Sequence, residues 1–234
     1  MQELAAGGRS FGAHAAAIVR DFPNAMRFRA RAARDWAVPA AFARGDASPV
    51  VILPGVFETW HYLRPVAEAL NAAGHPVHVV ATLGINHRPI PESARRSWER
   101  IRSLDLENLT LVAHSKGGLI GKHLLAHDDV DGRIARVVAI ASPFSGSRMA
   151  YYALPRAMRE FRPDHPVIAA LRTEQRVNAR ITSIAPEWDP HIPESSRLAG
   201  ARNVTVPVVG HFRILLDPRL PALVVAEVER EAAP

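Results

Sequence analysis

Residues 112–118, VAHSKGG, constrain this chain more than any other stretch, because they place a serine between a short apolar strand and an apolar helix. Leu109-Thr110-Leu111-Val112-Ala113 has the composition of a buried parallel strand, and Gly117, Gly118, Leu119, Ile120, Leu124 and Leu125 continue with helical spacing. A nucleophile on such a strained strand-to-helix turn needs small residues two before and two after it, where its backbone meets the neighbouring strand and helix. Ala113 and Gly117 meet that need, Ala113 adding only a methyl to the glycine usual there. Ser115 is therefore the candidate nucleophile.

A serine hydroxyl needs a base to take its proton and an acid to orient that base. In the α/β-hydrolases, which this strand-serine-helix turn resembles, acid and histidine follow the nucleophile in that order, each in the loop after a strand. Of eleven histidines, only His211 combines this order with a preceding strand-like run, NVTVPVV over 203–209, and a glycine, Gly210. Upstream, Ile181-Thr182-Ser183-Ile184-Ala185 is strand-like, and the expected loop PEWDPHIPE over 186–194 offers Asp189 as the acid, with Glu187 in reserve. His191 either lines the site or caps that loop. Asp217 stands beside Pro218 and suits a turn; Asp164, before His165-Pro166, suits a helix cap.

The oxyanion formed in acyl transfer needs two backbone N–H donors, one from the residue after the nucleophile and one from the loop after an earlier strand. Lys116 supplies the first. PVVIL over 49–53 is the earlier strand, and the turn of Gly55 in its exit loop points to Val56 for the second, or Phe57 if the register differs by one. Trp60 packs under that loop or lines the acyl pocket. Phe57, His114, Phe144 and Tyr152 are the candidate substrate contacts.

The segments LPGVFETW, LVAHSKGGL, VVAIASPFSGS and ITSIAPEWDPHIPESSRLAGARNVTVPVVGHFRIL resemble the small bacterial lipases of the α/β-hydrolase superfamily, in particular the Bacillus-type minimal lipases. Those also carry alanine in the elbow, an aspartate after an ITSI-like strand, and a GARNV-like run leading to the histidine. The resemblance covers roughly residues 49–220 and implies an open parallel sheet, carboxylic ester hydrolysis, and no obligatory metal or organic cofactor. This chain departs from it in having Pro54-Gly55 where those lipases often have His-Gly, Lys116 where they have an apolar residue, and a longer stretch over 143–180.

Length and composition agree: 234 residues, 48% of them hydrophobic, allow one domain with a substantial core. The absence of cysteine excludes disulfides and thiolate chemistry, and no HExxH or close histidine-carboxylate cluster suggests a metal hydrolase. The formal charge of +6 is concentrated in arginine, much of it between Arg9 and Arg44. No nucleic-acid motif accompanies it, so it reads as a solvated helical face. Met26, Phe28, Trp36 and Phe42 make this segment a packing extension first and a peripheral lipid-interface anchor second. The N-terminus lacks the pattern of a signal peptide, and no apolar run is long enough to span a bilayer, so a cytoplasmic location is expected, although a processed secreted form would look the same.

Strands are expected near 49–53, 77–80, 109–113, 136–141, 181–184 and 203–208, with helices near 61–73, 92–104, 116–127, the 150s to 170s and 219–230. This alternation predicts an α/β fold: a mostly parallel open sheet of about six strands with helices on both faces. Residues 1–48 form a helical extension and 49–234 the core. The stretch 143–180, with its apolar Met149, Tyr152, Leu154, Met158 and Phe161, forms a small cap. The expected activity is a serine hydrolase acting on small-molecule or lipid esters. An acyltransferase or thioesterase using the same groups, or a non-catalytic hydrolase-fold binding protein, are the alternatives.

Overall fold

Near-continuous burial along the central strands sets the architecture. The computed structural model describes residues 11–32 and 37–230. Its strands are β1 (Val50–Leu53), β2 (Val77–Val79), β3 (Leu109–His114), β4 (Ile134–Ile140), β5 (Ile181–Trp188) and β6 (Arg202–Val209). They form one sheet of order β2-β1-β3-β4-β5-β6, with every neighbouring pair parallel. Among the described residues the α-helices are α1 (Phe11–Ala32), α2 (Arg64–Ala72), α3 (Ile90–Ser103), α4 (Lys116–His123), α5 (Arg156–Arg159), α6 (Pro166–Thr173) and α7 (Leu220–Glu229).

Successive strand residues face opposite sides of a sheet. Val50, Ile52, Val112, Val138 and Ile140 therefore enter one hydrophobic cluster, with Phe28 of α1, Val66 and Leu70 of α2, and Val224 and Val228 of α7. Val51, Leu53, Leu111, Ala113, Val137 and Ala139 enter the other, with Ile90, Ala94 and Ile101 of α3, Leu119 and Ile120 of α4, and Ile168 and Leu171 of α6. Helices on both faces explain why the central strands are apolar on both sides.

Two elements differ from the sequence expectation. β5 continues through Pro186, Glu187 and Trp188, residues expected in a loop, so Asp189 follows the strand directly. Its last pairing with β4 is Ile140↔Ile184. Beyond that β5 has a neighbour on one side only, where a proline lacking its N–H is tolerated. The helix expected over 116–127 is α-helical only to His123 and then widens into a π-type turn, Leu124–Asp128. The apolar stripe in 143–180 is broken at Pro155 and Pro166, giving a 3-10 turn (Arg148–Tyr152), the short α5, and α6.

His165, not Asp164, occupies the cap position of α6, and no side-chain hydrogen bond caps that helix. Asp217 is a turn residue, its Oδ1 accepting the Arg219 N–H at 2.9 Å. The N-terminal extension packs on the core, with Phe28 stacked on Tyr62 at 4.9 Å between ring centroids and Phe42 buried against Trp60. Trp36 of that extension lies outside the described residues. Among the described residues, no helix is long and apolar enough to cross a membrane.

Candidate active site

The C-terminal ends of β1, β3, β5 and β6 bring the predicted groups together. Ser115 joins β3 to α4 with φ 51° and ψ −119°, a left-handed conformation costly for any residue but glycine. The turn is held by the Ser115 N–H donating to the Ile140 carbonyl at 2.8 Å, and by the Gly118 N–H donating to the Ser115 carbonyl at 3.0 Å. Gly117 is required here. A Cβ on it would lie 2.1 Å from the Leu53 carbonyl oxygen of β1.

Asp189 and His211 meet from neighbouring strands. The His211 Nδ1–H donates to Asp189 Oδ2 at 2.7 Å, and Asp189 Oδ1 accepts the backbone N–H groups of His191 at 2.8 Å and Ile192 at 3.1 Å. Burial opposes the charge on Asp189, but the facing His211, by charge and hydrogen bond, and His191 more than offset it and hold the carboxyl below its usual range. Burial likewise opposes charge on His211. The Asp189 charge and hydrogen bond, with the Glu58 and Asp21 carboxylates, outweigh it and raise the imidazole above its ordinary value. For His191 the balance is the reverse: burial and the neighbouring His211 outweigh the pull of the Asp189 and Asp21 carboxylates and depress it to about 4. Glu187, the reserve acid, points outward and is exposed.

The loop after β1 is shaped by Glu58. Its Oε2 accepts the Gly55 N–H at 2.8 Å, and both of its oxygens accept from His114 Nδ1 at 2.9 Å. A Cβ on Gly55 would lie 2.5 Å from Glu58 Oε1, so the glycine is needed for this carboxylate to fold back on the loop. The loop then turns through Phe57 at φ 58°. His114 Nε2 lies 3.3 Å from the His211 carbonyl oxygen, so one buried pair braces both the β1 loop and the histidine loop. These contacts account for the grouping of Glu58, His114 and His211, each offering one ligand-type atom within 4.8 Å of the others.

Lys116 presents its backbone N–H at the start of α4 while its side chain is wholly buried. Nζ donates to the Asn86 carbonyl at 3.0 Å and to that of Arg88. Asn86, itself at φ 50°, donates from Nδ2 to the Pro54 carbonyl at 2.7 Å. The elbow, the β1 loop and the segment before α3 are thus tied together. Burial pushes the Lys116 ammonium down to about 8, against the pull of Glu160 and Glu92.

A cavity of about 240 Å³ opens over Ser115 and His211. Val56 and Phe57 line one side, Met149, Met158 and Phe161 of the 143–180 stretch another, and Phe22, Ala25, Met26 and Arg29 of α1 a third. His191 lines it as well as donating its N–H to Asp189. Of the other candidate substrate contacts, His114 and Phe144 are buried away from this lining and Tyr152 is exposed outside it. Trp60 packs against Phe42 and His61 and lines a second, smaller hollow of about 170 Å³. Within 143–180, Ile168 and Leu171 belong to the core rather than to any cover over the site.

Sequence reasoning missed three residues. Glu58 and Asn86 act through loop geometry that no spacing announces. Asp21 is the third: its carboxylate accepts the backbone N–H of Phe212 at 2.9 Å and of Arg213 at 3.1 Å, from a helix some 190 positions upstream.

Comparison with known proteins places this arrangement. A family model described as the alpha/beta hydrolase fold matches residues 48–205. A curated relative, a haloalkane dehalogenase of Psychrobacter cryohalolentis, is 36% identical over 104 residues, which are 40% of this chain and 33% of that protein. The match thus spans about a third of that relative's length. Among solved structures, a monoacylglycerol lipase of Paleococcus ferrophilus is 17% identical with a TM-score of 0.57, covering 78% of this chain and 95% of that one. A structure of the metagenome-derived lipolytic enzymes LipS and LipT is 14% identical with a TM-score of 0.61, covering 81% and 96%. These likenesses concern the fold. With its six-stranded parallel sheet and a family model spanning the strands that carry Ser115 and Asp189, this chain belongs to the alpha/beta hydrolase fold family.

Proposed function

We propose that this protein is a serine hydrolase that cleaves carboxylic esters. The observation that carries this reading is that Ser115, on its strained turn, and His211, paired behind with Asp189, line one apolar cavity. Asp189 accepts a hydrogen bond from His211 Nδ1–H and so fixes the tautomer in which Nε2 is the base. In the proposed reaction Nε2 takes the Ser115 hydroxyl proton as Oγ attacks the ester carbonyl. The N–H groups of Val56 and Lys116 receive the developing oxyanion. Collapse expels the alcohol, which takes the proton from His211, and leaves an acyl-serine. Water, deprotonated by the same imidazole, then releases the acid. The Gly55 N–H is already spent on Glu58, which favours Val56 as the donor from that loop.

The lipase-type fold neighbours support ester substrates, and the apolar lining from Phe57, Met149, Met158 and Phe161 supports an apolar acyl group. The dehalogenase relative suggests halide displacement instead. A serine nucleophile argues against that, because displacement at an alkyl carbon would leave a dialkyl ether, which neither His211 nor water would cleave. Thioesters, or transfer to an alcohol, fit the same groups and differ only in the partner of the acyl group.

The test is turnover of p-nitrophenyl esters of increasing acyl length, with fluorophosphonate labelling, in the wild type and Ser115→Ala. Turnover and labelling should both vanish in the variant. A folded wild type that neither turns over nor labels would remove the assignment.

A further inference from the structure

We propose that Asp21 of the N-terminal helix is a positioning residue of the active site, holding the loop that carries His211 and adding a fixed negative charge beside it. This rests on the assignment of His211 as the base.

The geometry is specific. Asp21 is 3% exposed, and its two oxygens are divided between consecutive N–H groups, Oδ2 accepting from Phe212 and Oδ1 from Arg213. These residues follow His211 directly and begin the 3-10 turn Arg213–Leu216, whose first N–H groups have no partner within the turn. Asn24 Nδ2 donates to Oδ1 at 3.1 Å and steadies the carboxylate from one helical turn away. On the other side of the histidine, Gly210 at φ 128° is built for the same contact, since a Cβ there would lie 2.8 Å from Asp21 Oδ1. The loop is thus closed around a carboxylate contributed by another element. A solvated surface acid would neither be buried to this extent nor need a glycine opposite it.

The charge matters because His211 must become an imidazolium during each turnover. The ionisable groups facing it are Asp189 from the end of β5, Glu58 from the β1 loop, Asp21 from α1, and the imidazoles of His191 and His114, whose rings lie 5.2 and 4.8 Å from its own. Asp21 acts in the same direction as Asp189 and Glu58, favouring the protonated ring. It also lies 3.8 Å from His191 Nε2, a buried ring nitrogen without a hydrogen-bond partner among the described residues. The next residues on α1, Phe22, Ala25 and Met26, line the cavity, so the helix that supplies the charge also walls the site.

The test compares Asp21→Asn, Asp21→Glu and Phe22→Ala in the full chain. Asp21→Asn removes the charge and leaves one oxygen for three donors. It should lower kcat between about tenfold and a hundredfold, as a modest misplacement of a reacting group does, and move the acid limb of kcat/KM to lower pH. Asp21→Glu keeps the charge but lengthens the stem, so kcat should fall while the acid limb stays. Phe22→Ala, which opens the cavity wall but keeps the carboxylate, should leave the acid limb in place.

His211 titration followed by NMR reads the same shift without a substrate. A chain inactive on every ester therefore loses the esterase assignment while Asp21 is still decided. Wild-type kcat and an unmoved limb in Asp21→Asn overturn the proposal, as does an equal limb shift in both variants. If Asp21→Asn does not fold, wild-type kcat in Asp21→Glu overturns it.

Discussion

At the residue scale, the site depends on a few buried polar groups whose charge states are set by one another. The His211 imidazole is raised above its ordinary value, so the proposed base stays protonated to a higher pH than a free histidine. The acid limb of kcat/KM should accordingly have its midpoint above about 6.5, the ordinary imidazole value. A pH-rate profile with its midpoint below that would contradict the arrangement. Asp189→Asn would permit the wrong tautomer, and kcat should fall about 10⁴-fold with the fold intact by circular dichroism. Gly117→Ala tests the elbow: its methyl must displace the Leu53 carbonyl, and overpacking of this kind costs about 1–3 kcal/mol. Chemical denaturation should show that loss together with falling kcat.

At the scale of elements, the sheet and most helices were legible because both faces of a buried strand must be apolar and helices must repeat every three to four residues. Leu63, Val66, Ala67 and Leu70, which keep helical spacing in the sequence, are all buried in one cluster. What was not legible depended on partners. β5 extends past Ala185 because β6 keeps pairing with it, which Pro186 concealed. The stripe over 143–180 divides between core and cavity because a period shows that one side is apolar but not what covers it. Met158 remains an informative position, since it lines the cavity from the α5 segment. Met158→Trp should shift the preferred acyl length downward across an ester series; an unchanged profile would remove this segment from the acyl pocket.

At the scale of the whole molecule, stability should carry the signature of buried lysines. Lys122 on α4 is 1% exposed, and burial, opposed by Glu174, pushes its ammonium down to about 8, as it does for Lys116. In the unfolded chain a lysine keeps its proton to about 10.4. Between these values the unfolded state binds more protons than the folded one, so stability contributed by these groups rises with pH in that window. Lys122→Met should therefore stabilise the protein at pH 7, by about 1–4 kcal/mol if it follows other buried ionic groups replaced by apolar ones. The gain should shrink as pH rises from about 8 towards 10. Thermal melts of both proteins across that range measure it, and a gain independent of pH would show that packing rather than charge is responsible.

The contact between Asp21 and the N–H groups of Phe212 and Arg213 joins parts of the chain separated by 191 and 192 positions. Closing so long a loop is entropically costly and tends to come late, after the nearer pairings of the sheet have formed. During refolding, helical and strand signals should therefore return before the proposed esterase activity does, leaving a short-lived species with a complete sheet and a histidine loop still unanchored. On a ribosome the same order is imposed by synthesis, because the anchoring carboxylate emerges first and must wait for the 191 positions that separate it from Phe212 before it has anything to hold.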